Sequence, residues 1–441
     1  MKFFLFLTIL FVSFSVKSQE LPVFTVTKPD TSNAVKGYFF LTIKDNLMLI
    51  LDKEANIVYY KPLNSVLDYT LEKGGKMVYS TYYYNTYLMD STFNTVDSIV
   101  YKNGIESNGH DRLLLPGGYV ILFGTEMVKE YFHQYPEVRK KTGSDTAYLY
   151  VTVIQEQDAA GNVIWEWHAK DHFSIRDADP FYLKSDVYSQ WTHSNALALD
   201  EDGNILLSSR NMHEITKINR KDGSVMWRFG GKHNQFKFIN CRQPFYGQHN
   251  IRRLPNGHFT LLDNGQNTES HAARAMEFEL DEKKKTAKLV WSYTLDREIY
   301  SKGRGNVQRL ADGNTLIDFG VVSKGDVCFV IVNPAGTKLF QVNGPVGYRV
   351  MNYSSLPFQL HRPVISCFVS EGVKYLDAGA GYKSYKWSTG DTTRIIKAGK
   401  QGSYTVFVPY GDGGYISSEK IVAGEIEQHC EIRSSSTGNK K

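Results

Sequence analysis

The stretch FYGQHNIRRLPNGHFTLLDNG, residues 245–265, predicts two strands joined by a tight turn. Asn256-Gly257 is a common hairpin dipeptide, and the apolar residues that follow it are typical of a strand leaving the turn. The same strand–turn–strand pattern recurs at Asp68–Tyr79 (the weakest copy), Arg112–Phe123, Ala196–Ser208, Ile251–Asp263 and Val307–Phe319. The later copies lie about 55 residues apart, which is the spacing of four-stranded propeller blades.

A second recurring pattern is a turn followed by a strand that ends in an aromatic residue. It is clearest at Asp158–Trp165 and Asp222–Trp227, and looser at Asp52–Tyr59 and Asn333–Phe340. Tyr and Phe are abundant, at 28 and 25 residues, and they favour strands over helices. Because few windows also show a helical period, the sequence predicts an all-β protein.

Together the two patterns favour a six-bladed β-propeller, since five blades are visible and the rest of the chain can supply a sixth. We expect the sixth blade to close by pairing Tyr38–Ile43 with strands near Val327–Phe340. A seven-bladed ring is the alternative if one copy is too degraded to recognise. Tyr131–Thr146 and Lys170–Gln190 resemble loops inserted between two copies.

The two ends of the chain differ from the repeat. Residues 1–18 combine Lys2, an apolar stretch and a small-residue cleavage pattern, as in a secretory signal peptide. No later apolar segment is long enough to cross a bilayer, so we expect an exported protein, periplasmic or extracellular, without a stable membrane span. Residues 19–360 are assigned to the propeller, and the polar residues 433–441 to a disordered tail.

Residues 361–432 alternate short strands and turns, as in YLDAGAGYKSYKWSTGDTTRIIKAGKQGSYTVFV, which begins at Tyr375. This segment resembles the Ig-like β-sandwich modules appended to secreted proteins of Bacteroidetes-type bacteria. Cys367 and Cys430 bracket the region and could close it, because an exported chain permits disulfides. Cysteine spacing alone leaves that pairing open.

Charge and short motifs argue against several classes of partner. The formal net charge is +5, and no Lys/Arg run is interleaved with aromatic residues, which argues against nucleic-acid binding. No C-x-x-C pair indicates a thiolate metal site, and no G-x-x-x-x-G-K-[ST] loop indicates a bound nucleotide. We therefore expect no cofactor.

Histidine recurs at one position of the repeat. Counting back from the turn glycine, this position holds His110, His249 and Gly305, and His193 fills it in a copy with a longer turn. If the strand is the innermost of each blade, the imidazoles converge at one mouth of the central channel. They then suit either a metal site or acid–base and nucleophilic chemistry without metal. The second interpretation needs a cation for an anionic substrate, and Arg210 ends the strand pair that begins at His193.

The segments around these residues resemble the arylsulfotransferase family, that is, arylsulfate sulfotransferases and their relatives. The matching segments are WTHSNALALDEDGNILLSSR, GSVMWRFGGKHNQF, FYGQHNIRRLPNGHFTLLDNG and GNVQRLADGNTLIDFG. In addition, NGHDRLLLPGG places His110 where that family has its first active-site histidine. The resemblance covers roughly residues 52–349.

The resemblance implies transfer of a sulfuryl group from a small-molecule aryl sulfate to a phenolic acceptor through a sulfohistidine, without a nucleotide donor. By position, His249 would be the nucleophile, while His110, His193 and Arg210 would hold the sulfuryl oxygens. The implied substrate-binding residues are the amides Asn195, Asn250 and Asn264. The identities of donor and acceptor and the oligomeric state are left open.

Two other functions stay open at this point. A metal-dependent hydrolase would use the same three histidines as ligands. A non-catalytic extracellular propeller would bind a glycan or a protein at the same mouth, because a fold alone does not determine a function.

Overall fold

The computed structural model describes residues 21–29, 35–43, 46–81, 85–183, 188–266, 272–295, 299–399, 402–424 and 430–432. The predicted signal peptide, residues 1–18, and the predicted tail, residues 433–441, lie outside these residues. Within the described ranges the protein is all-β. Its helical elements there are α1 (Pro136–Thr142) and the short 3-10 turns Pro116–Gly118, Phe132–Gln134, Ala169–Asp171, Ile175–Asp177 and Arg210–Met212. None of these described helices has the length and apolar character needed to cross a membrane.

The strands fall into a large N-terminal set and a smaller C-terminal set. The first set is β1 (Thr25–Lys28), β2 (Tyr38–Ile43), β3 (Leu47–Leu51), β4 (Ile57–Pro62), β5 (Val66–Leu71), β6 (Met77–Thr81), β7 (Thr86–Met89), β8 (Thr95–Ile99), β9 (Glu106–Leu114), β10 (Val120–Tyr131), β11 (Thr146–Gln157), β12 (Val163–His168), β13 (Tyr188–Ser189), β14 (Ser194–Leu199), β15 (Ile205–Ser209), β16 (Glu214–Ile218), β17 (Val225–Gly230), β18 (Lys237–Ile239), β19 (His249–Arg253), β20 (Phe259–Asp263), β21 (Arg274–Asp281), β22 (Thr286–Thr294), β23 (Asn306–Arg309), β24 (Thr315–Asp318), β25 (Val327–Val332), β26 (Lys338–Asn343) and β27 (Val350–Tyr353). The second set is β28 (Ser366–Ser370), β29 (Val373–Asp377), β30 (Lys386–Trp387), β31 (Ile395–Lys397), β32 (Ser403–Tyr404), β33 (Val406–Tyr410), β34 (Gly414–Ser417), β35 (Ile421–Val422) and β36 (Glu431–Ile432).

The first set folds into successive sheets of antiparallel strands. Their orders are β27-β2-β3-β4, β5-β6-β7-β8, β9-β10-β11-β12, β14-β15-β16-β17, β19-β20-β21-β22 and β23-β24-β25-β26. The first strands of successive sheets lie beside one another: β5 contacts β9, β9 contacts β14, β14 contacts β19, β19 contacts β23 and β23 contacts β27. This inner row of strands is consistent with a β-propeller-like fold.

The predicted strand–turn–strand copies are confirmed as antiparallel pairs. They are β5–β6, β9–β10, β14–β15, β19–β20 and β23–β24. The predicted turns before aromatic-ended strands also occur; for example, the Asp158 carboxylate accepts the N–H of Asn162 at 2.9 Å just before β12. The pattern of turns and apolar strands therefore determined these elements locally.

The predicted closure of the sixth blade is wrong. Tyr38–Leu41 pairs with Val350–Tyr353 rather than with strands near Val327–Phe340. The physical reason is that β25 and β26 already satisfy each other's backbone groups, and the outer edge of β26 is taken by Thr25–Lys28. The chain returns after β26 to supply the inner strand of the first sheet.

Apolar side chains fill the spaces between neighbouring sheets. Between the fourth and fifth of these sheets, the ring of Phe229 meets the rings of Phe245 and Phe278 at centroid distances of 5.1 and 5.3 Å. All three rings are buried. Edge-on packing of this kind fixes the relative position of two sheets, and with it the inner strands that they carry.

The C-terminal strands pack against the first sheet. Tyr415 and Ile416 of β34 pair with Tyr60 and Tyr59, so that β34 covers the outer edge of β4. The remaining C-terminal sheets are ordered β31-β29-β28-β36 and β32-β35. A disulfide joins Cys367 to Cys430, as the bracketing positions of these cysteines suggested.

Candidate active site

The three histidines and the arginine of the repeat lie in one cavity of about 560 Å³, at one end of the inner strands. The rings of His110 and His193 meet edge to face with centroids 5.3 Å apart. A Cβ placed on Gly303 would lie 3.8 Å from Cε1 of His249 and 3.9 Å from Nη2 of Arg210, so both groups approach the same point. The predicted convergence of the imidazoles is therefore confirmed.

The chain that enters β19 is fixed before it reaches His249. The N–H of Tyr246 donates to Oδ1 of Asp263 at 2.9 Å. The next N–H, of Gly247, donates to Nδ1 of His213 at 2.8 Å. Gly247 has a φ of 65°, a left-handed conformation that glycine adopts without strain. These contacts hold the backbone that aims His249 into the cavity.

Hydrogen bonds define the tautomer of His249. Its Nδ1 lies 2.7 Å from Oδ1 of Asn264. The Nδ2 of Asn264 donates to Oγ of Ser301 at 2.8 Å and to the carbonyl of Arg304 at 3.0 Å, which leaves Oδ1 as the acceptor for the ring. The proton of the neutral imidazole is therefore assigned to Nδ1, and Nε2 keeps its lone pair.

The same ring is held in its neutral form. His249 is 3% exposed, and burial is the largest cause of a pKa well below the usual histidine value, followed by the charge of Arg210. Nε2 accepts the backbone N–H of Arg304 at 3.2 Å, a long hydrogen bond. A neutral imidazole is a nucleophile at neutral pH, and this bond to Arg304 must break before the lone pair of Nε2 can attack.

His110 is also held neutral, by a different set of contacts. Its Nδ1 is hydrogen bonded to Oδ1 of Asn108, and its ring packs edge-on against Tyr348 at a centroid distance of 5.3 Å. Burial, with the charges of Arg349 and Arg304, lowers the pKa of His110 to about 3. Like His249, His110 thus carries its hydrogen on Nδ1, and its Nε2 is unprotonated.

His193 and Arg210 are joined through the backbone, because the N–H of Arg210 donates to the carbonyl of His193 at 3.1 Å. The guanidinium stacks over the ring of Tyr182 at 4.8 Å, and its Nη2 donates to Oε1 of Gln266 at 2.7 Å and to the carbonyl of Lys302 at 3.3 Å. Burial, followed by the charge of Arg210, lowers the pKa of His193 well below the usual value. The arginine is thereby fixed beside two neutral imidazoles.

The cavity carries more positive than negative charge. Arg210, Lys302 and Arg304 are cations, and Glu106 is the one carboxylate among the described lining residues. Since the imidazoles are neutral, an anionic group is favoured at this position. The other lining residues are Ser107, Asn108, Thr125, Tyr150, Gln190, Gly303 and Tyr348.

The three predicted substrate-binding amides lie just behind the cavity rather than among its described lining residues. Nδ2 of Asn195 donates to the carbonyl of Gln248 at 2.7 Å, and Oδ1 of Asn250 accepts the N–H of Val307 at 3.2 Å. Asn264 bonds to the His249 ring, as described above. In this structure, the contacts of all three amides hold the backbone or ring of the site.

Residues that the sequence interpretation missed come mainly from the loop SKGRG, residues 301–305. This loop places Lys302 and Arg304 in the cavity, directly before Gly305. A Cβ on Gly305 would lie 2.4 Å from the carbonyl oxygen of Asp318, so a histidine does not fit there. The signal was available, since two basic residues, Lys302 and Arg304, come just before the glycine at the repeat position that otherwise holds histidine.

Below the imidazoles, a buried ion-pair network closes the space between inner strands. Nη1 of Arg349 lies 3.0 Å from Oδ1 of Asp111 and 3.3 Å from Oδ2 of Asp68. Arg252 pairs with Asp111 at 3.0 Å, and Arg112 pairs with Asp68 at 2.9 Å. The arginines hold the pKa of the Asp111 carboxyl well below its usual range, although burial opposes them. Residues His110 and Asp111 thus face opposite ways, as expected for neighbours on a strand.

The described residues contain no group of three or more His, Cys, Asp or Glu side chains arranged to hold a metal ion. The three imidazoles are accompanied by cations, and cations disfavour a bound metal. The arrangement is suited instead to holding a small anion beside a neutral nucleophilic nitrogen.

Comparison with solved structures gives only weak fold similarity. A protein of unknown function from Bacteroides caccae has a TM-score of 0.45 at 12% identity, covering 72% of this chain and 98% of that one. A catalytically inactive virginiamycin B lyase from Staphylococcus aureus has a TM-score of 0.39 at 10% identity, covering 80% of this chain and 96% of that one.

Comparison of sequences is more informative. Over 166 residues the chain is 30% identical to the arylsulfate sulfotransferase AssT of Escherichia coli strain CFT073; the match covers 30% of this chain and 27% of that relative. The match therefore spans about a quarter of the relative's length. The family model described as Arylsulfotransferase (ASST) matches residues 23–329, which is well over half of the chain. The protein belongs to the arylsulfotransferase family.

Proposed function

We propose that this protein transfers a sulfuryl group from an aryl sulfate to a phenol through a sulfohistidine at His249. The observation that carries the proposal is a neutral imidazole whose unprotonated Nε2 lies in a cavity bearing several cations. Family membership supports sulfuryl transfer as the general activity. Arg210, which lines the cavity and approaches the same point as His249, supports the binding of a sulfuryl oxygen.

In the first half-reaction, Nε2 of His249 attacks the sulfur, and an N–S bond forms as the S–O bond to the aryl group breaks. The aryloxide leaves with the electron pair of that bond. It is a good leaving group because a phenol has a pKa of about 10. The Nδ1 hydrogen stays on the ring, where Oδ1 of Asn264 stabilises the positive charge that develops.

In the second half-reaction, the oxygen of an acceptor phenol attacks the sulfur. The N–S bond breaks, and its electron pair returns to Nε2 of His249. The phenol proton passes to a second neutral imidazole, for which His110 is suited because Asn108 engages its Nδ1. From there the proton passes to the departed aryloxide or to solvent, so the two aryl groups exchange one sulfuryl group and one proton.

The other groups of the site bind and position the substrate. Arg210 and His193 hold the sulfuryl oxygens, because this kind of transfer depends on positioning and charge neutralisation. The resemblance also assigned His110 to these oxygens, but with its hydrogen on Nδ1 this ring is suited to accept a proton and not to donate one to them. The contacts of the three amides support an indirect role, in which they hold the backbone of the site and the ring of His249 rather than the substrate itself. They are Asn195, Asn250 and Asn264.

We also propose the finer architecture and location. Six sheets of four strands, with β27 completing the first, support a six-bladed propeller over residues 19–360. An Ig-like sandwich is proposed for residues 361–432. Export to the periplasm or the outside is supported by the disulfide between Cys367 and Cys430, because such bonds persist in oxidising compartments.

The test is the intact mass of the protein after brief mixing with 4-nitrophenyl sulfate, followed by release of 4-nitrophenolate with and without phenol. We expect a gain of one sulfuryl group, lost when phenol is added, and phenol-dependent turnover. His249→Ala should remove both signals, whereas His133→Ala, a change at an exposed histidine, should leave them intact.

Three outcomes would contradict the proposal. Full activity of His249→Ala would show that another group is the nucleophile. Phenol-independent release that is abolished by a chelator would indicate a metal-dependent hydrolase instead. Absence of turnover together with binding to a glycan array would indicate a non-catalytic propeller.

A further inference from the structure

The hairpin of β10 and β11 is much longer than its counterparts. Each of its strands has 12 residues, whereas β15 and β16 of the following sheet have five each. The pairing runs without a register shift from Val120↔Gln157 to Tyr131↔Thr146. We call the outer part of this hairpin, Thr125–Tyr131 with Thr146–Thr152, the arm. At the rise of a β-strand the arm extends about 20 Å.

One face of the arm continues the wall of the candidate active site. At its base, Oγ1 of Thr152 bonds to Oγ1 of Thr192 at 2.9 Å, beside the inner strand β14. Thr125, which pairs with Thr152, lines the cavity, as does Tyr150 two residues along. Because side chains on paired strands alternate between faces, this face carries the residues at every second position. Its members are Thr125, Met127, Lys129, Tyr131, Thr146, Tyr148, Tyr150 and Thr152.

The opposite face of the arm packs into the protein. Leu149 and Val151 are 3% and 1% exposed and belong to a core cluster with Phe132 and Val138. Val128 packs against the same cluster. The arm is thus supported from behind, which makes its cavity-side face a rigid surface.

Large apolar side chains on the cavity-side face are exposed. Met127, Tyr131 and Tyr148 are 52%, 50% and 40% exposed, and they extend outward from Tyr150 at the cavity wall. The distance from the Tyr150 pair to the Tyr131 pair is about 13 Å at the rise of a β-strand. Exposed apolar strips that continue a cleft commonly bind ligands.

We propose that the cavity-side face of the arm binds the aryl body of the acceptor, and that the preferred acceptor is a phenol carried on a multi-ring aromatic scaffold. The inference rests on the proposed sulfuryl transfer at His249. The apolar strip, at about 13 Å, is longer than one aromatic ring. Tyr148 and Tyr131 are partly exposed aromatic rings, Met127 carries a polarizable thioether, and Lys129, over the Tyr131 ring at 5.2 Å, is a cation.

The chemistry of this face favours an electron-rich aromatic ligand over an acidic or basic macromolecule. Its members include one cation, Lys129, and no carboxylate. The carboxylates of β10, Glu126 and Glu130, lie on the opposite face by the alternation of the strand. The cations of the cavity lie at one end and the aromatic rings at the other, which matches a ligand with an anionic end and an apolar body.

The test compares two acceptors, phenol and 4-hydroxybiphenyl, in Tyr148→Ser, Met127→Ser and Tyr131→Ser. In the unmodified protein we expect a higher kcat/KM for the two-ring acceptor. Each substitution should lower the ratio of the two kcat/KM values by about five-fold, because a stacking contact is lost. The burst of 4-nitrophenolate from 4-nitrophenyl sulfate, and kcat/KM for phenol, should stay unchanged.

Tyr119→Ser is the matched control, since Tyr119 is equally exposed at 40% but lines a different cleft. An unchanged acceptor ratio in all three arm variants, or an equal change in Tyr119→Ser, would overturn the proposal. So would a change from oligomer to monomer in the arm variants by sedimentation, because the face would then be an interface between copies of the chain.

Failure of the proposed function is distinguishable from failure of this inference. If no donor gives phenol-dependent turnover, the sulfuryl transfer proposal fails on its own. Calorimetric titration with 4-hydroxybiphenyl then tests the surface directly. We expect binding that Tyr148→Ser weakens and Tyr119→Ser does not, and equal binding by both variants would overturn the arm as an aromatic site.

Discussion

At the scale of single residues, the buried imidazole of His249 has a consequence for pH dependence. Its folded pKa is well below the usual histidine value, because burial and Arg210 disfavour the charged form. The neutral nucleophile therefore persists as the pH falls past about 6.5, where an ordinary histidine would be half protonated. We expect the burst rate constant with 4-nitrophenyl sulfate to be nearly constant between about pH 8 and about pH 6.

This prediction is checked by rapid mixing over that pH range at constant ionic strength. A drop of about half near pH 6.5 would show that the imidazole titrates normally and that the cavity does not hold it neutral. The donor half-reaction is the proper readout, because acceptor phenols introduce their own ionisation.

A fourth histidine, His213, is expected to position the nucleophile without touching substrate. Its Nε2 lies 2.9 Å from Oδ2 of Asp179, so Nδ1 is left to accept the N–H of Gly247. We expect His213→Ala to lower kcat about ten-fold with little effect on KM for the donor, because the segment before His249 loses its anchor. Steady-state kinetics with 4-nitrophenyl sulfate measures both parameters.

His213→Asn provides the matched rescue. An asparagine Oδ1 is an acceptor, and asparagine tolerates the φ of 54° found at this position. We expect it to recover much of the lost kcat, whereas His172→Ala, at an exposed histidine, should have no effect. Equal losses in the Ala and Asn variants would argue against the accepted N–H as the cause.

At the scale of elements, the strand β27 is held to its neighbour by amide side chains that imitate a backbone ladder. Asn306 donates from Nδ2 to the carbonyl of Val350 and accepts its N–H at Oδ1, both at 2.9 Å. Two residues along, Gln308 makes the same pair of bonds with Asn352, at 2.9 and 2.8 Å. These contacts join β27, in the first sheet, to β23, in the last of the six sheets.

We expect Asn306→Ala to destabilise the fold by about 2 kcal/mol, because it leaves a buried N–H and a buried carbonyl of β27 without partners. The urea midpoint of unfolding measures the change. Asn162→Ala, in an exposed turn, is a suitable control and should cost about 1 kcal/mol at most. An equal shift in both variants would indicate that the attachment of β27 to β23 does not depend on these amides.

Local strand pairs could be predicted from the sequence pattern, whereas pairs of strands far apart in the chain could not. The turn at Asn256-Gly257 and the alternation around it predicted the β19–β20 hairpin, because a hairpin depends on neighbours in the chain. The pairing of β2 with β27 was mispredicted, since its partners lie more than 300 residues apart and no local signal distinguishes Val350–Tyr353 from other short apolar strands.

At the scale of the whole molecule, the neutral histidines of the cavity link stability to pH. The folded pKa values of His110, His193 and His249 are all lowered, mainly by burial. The unfolded chain therefore binds more protons than the folded protein once the pH falls below about 6.5. Above that pH the three histidines do not affect the free energy of unfolding, and below it their contribution becomes increasingly destabilising.

We expect each of these histidines to reduce the free energy of unfolding by about 1.4 kcal/mol at a pH one unit below its unfolded pKa. Urea midpoints measured at about pH 7.5 and about pH 5.5 test this sum. His193→Asn should make the stability less dependent on pH by one such increment. The comparison with His193→Asn is the decisive one, because burial raises the pKa of Asp318 to about 7 and that group shifts stability in the opposite direction over this range. An unchanged pH dependence in His193→Asn would contradict a buried neutral imidazole at this position.

The sequence by itself determined the strand content, the hairpins and the recurring position that holds His110, His193 and His249. These are properties of neighbours in the chain, set by turn residues and by alternating apolar side chains. Only the tertiary structure decided which strand completes the first sheet, which basic loop enters the cavity, and where the three amides point. Those contacts join residues far apart in the chain, and they depend on which backbone groups and charges are left without partners once the sheets have packed.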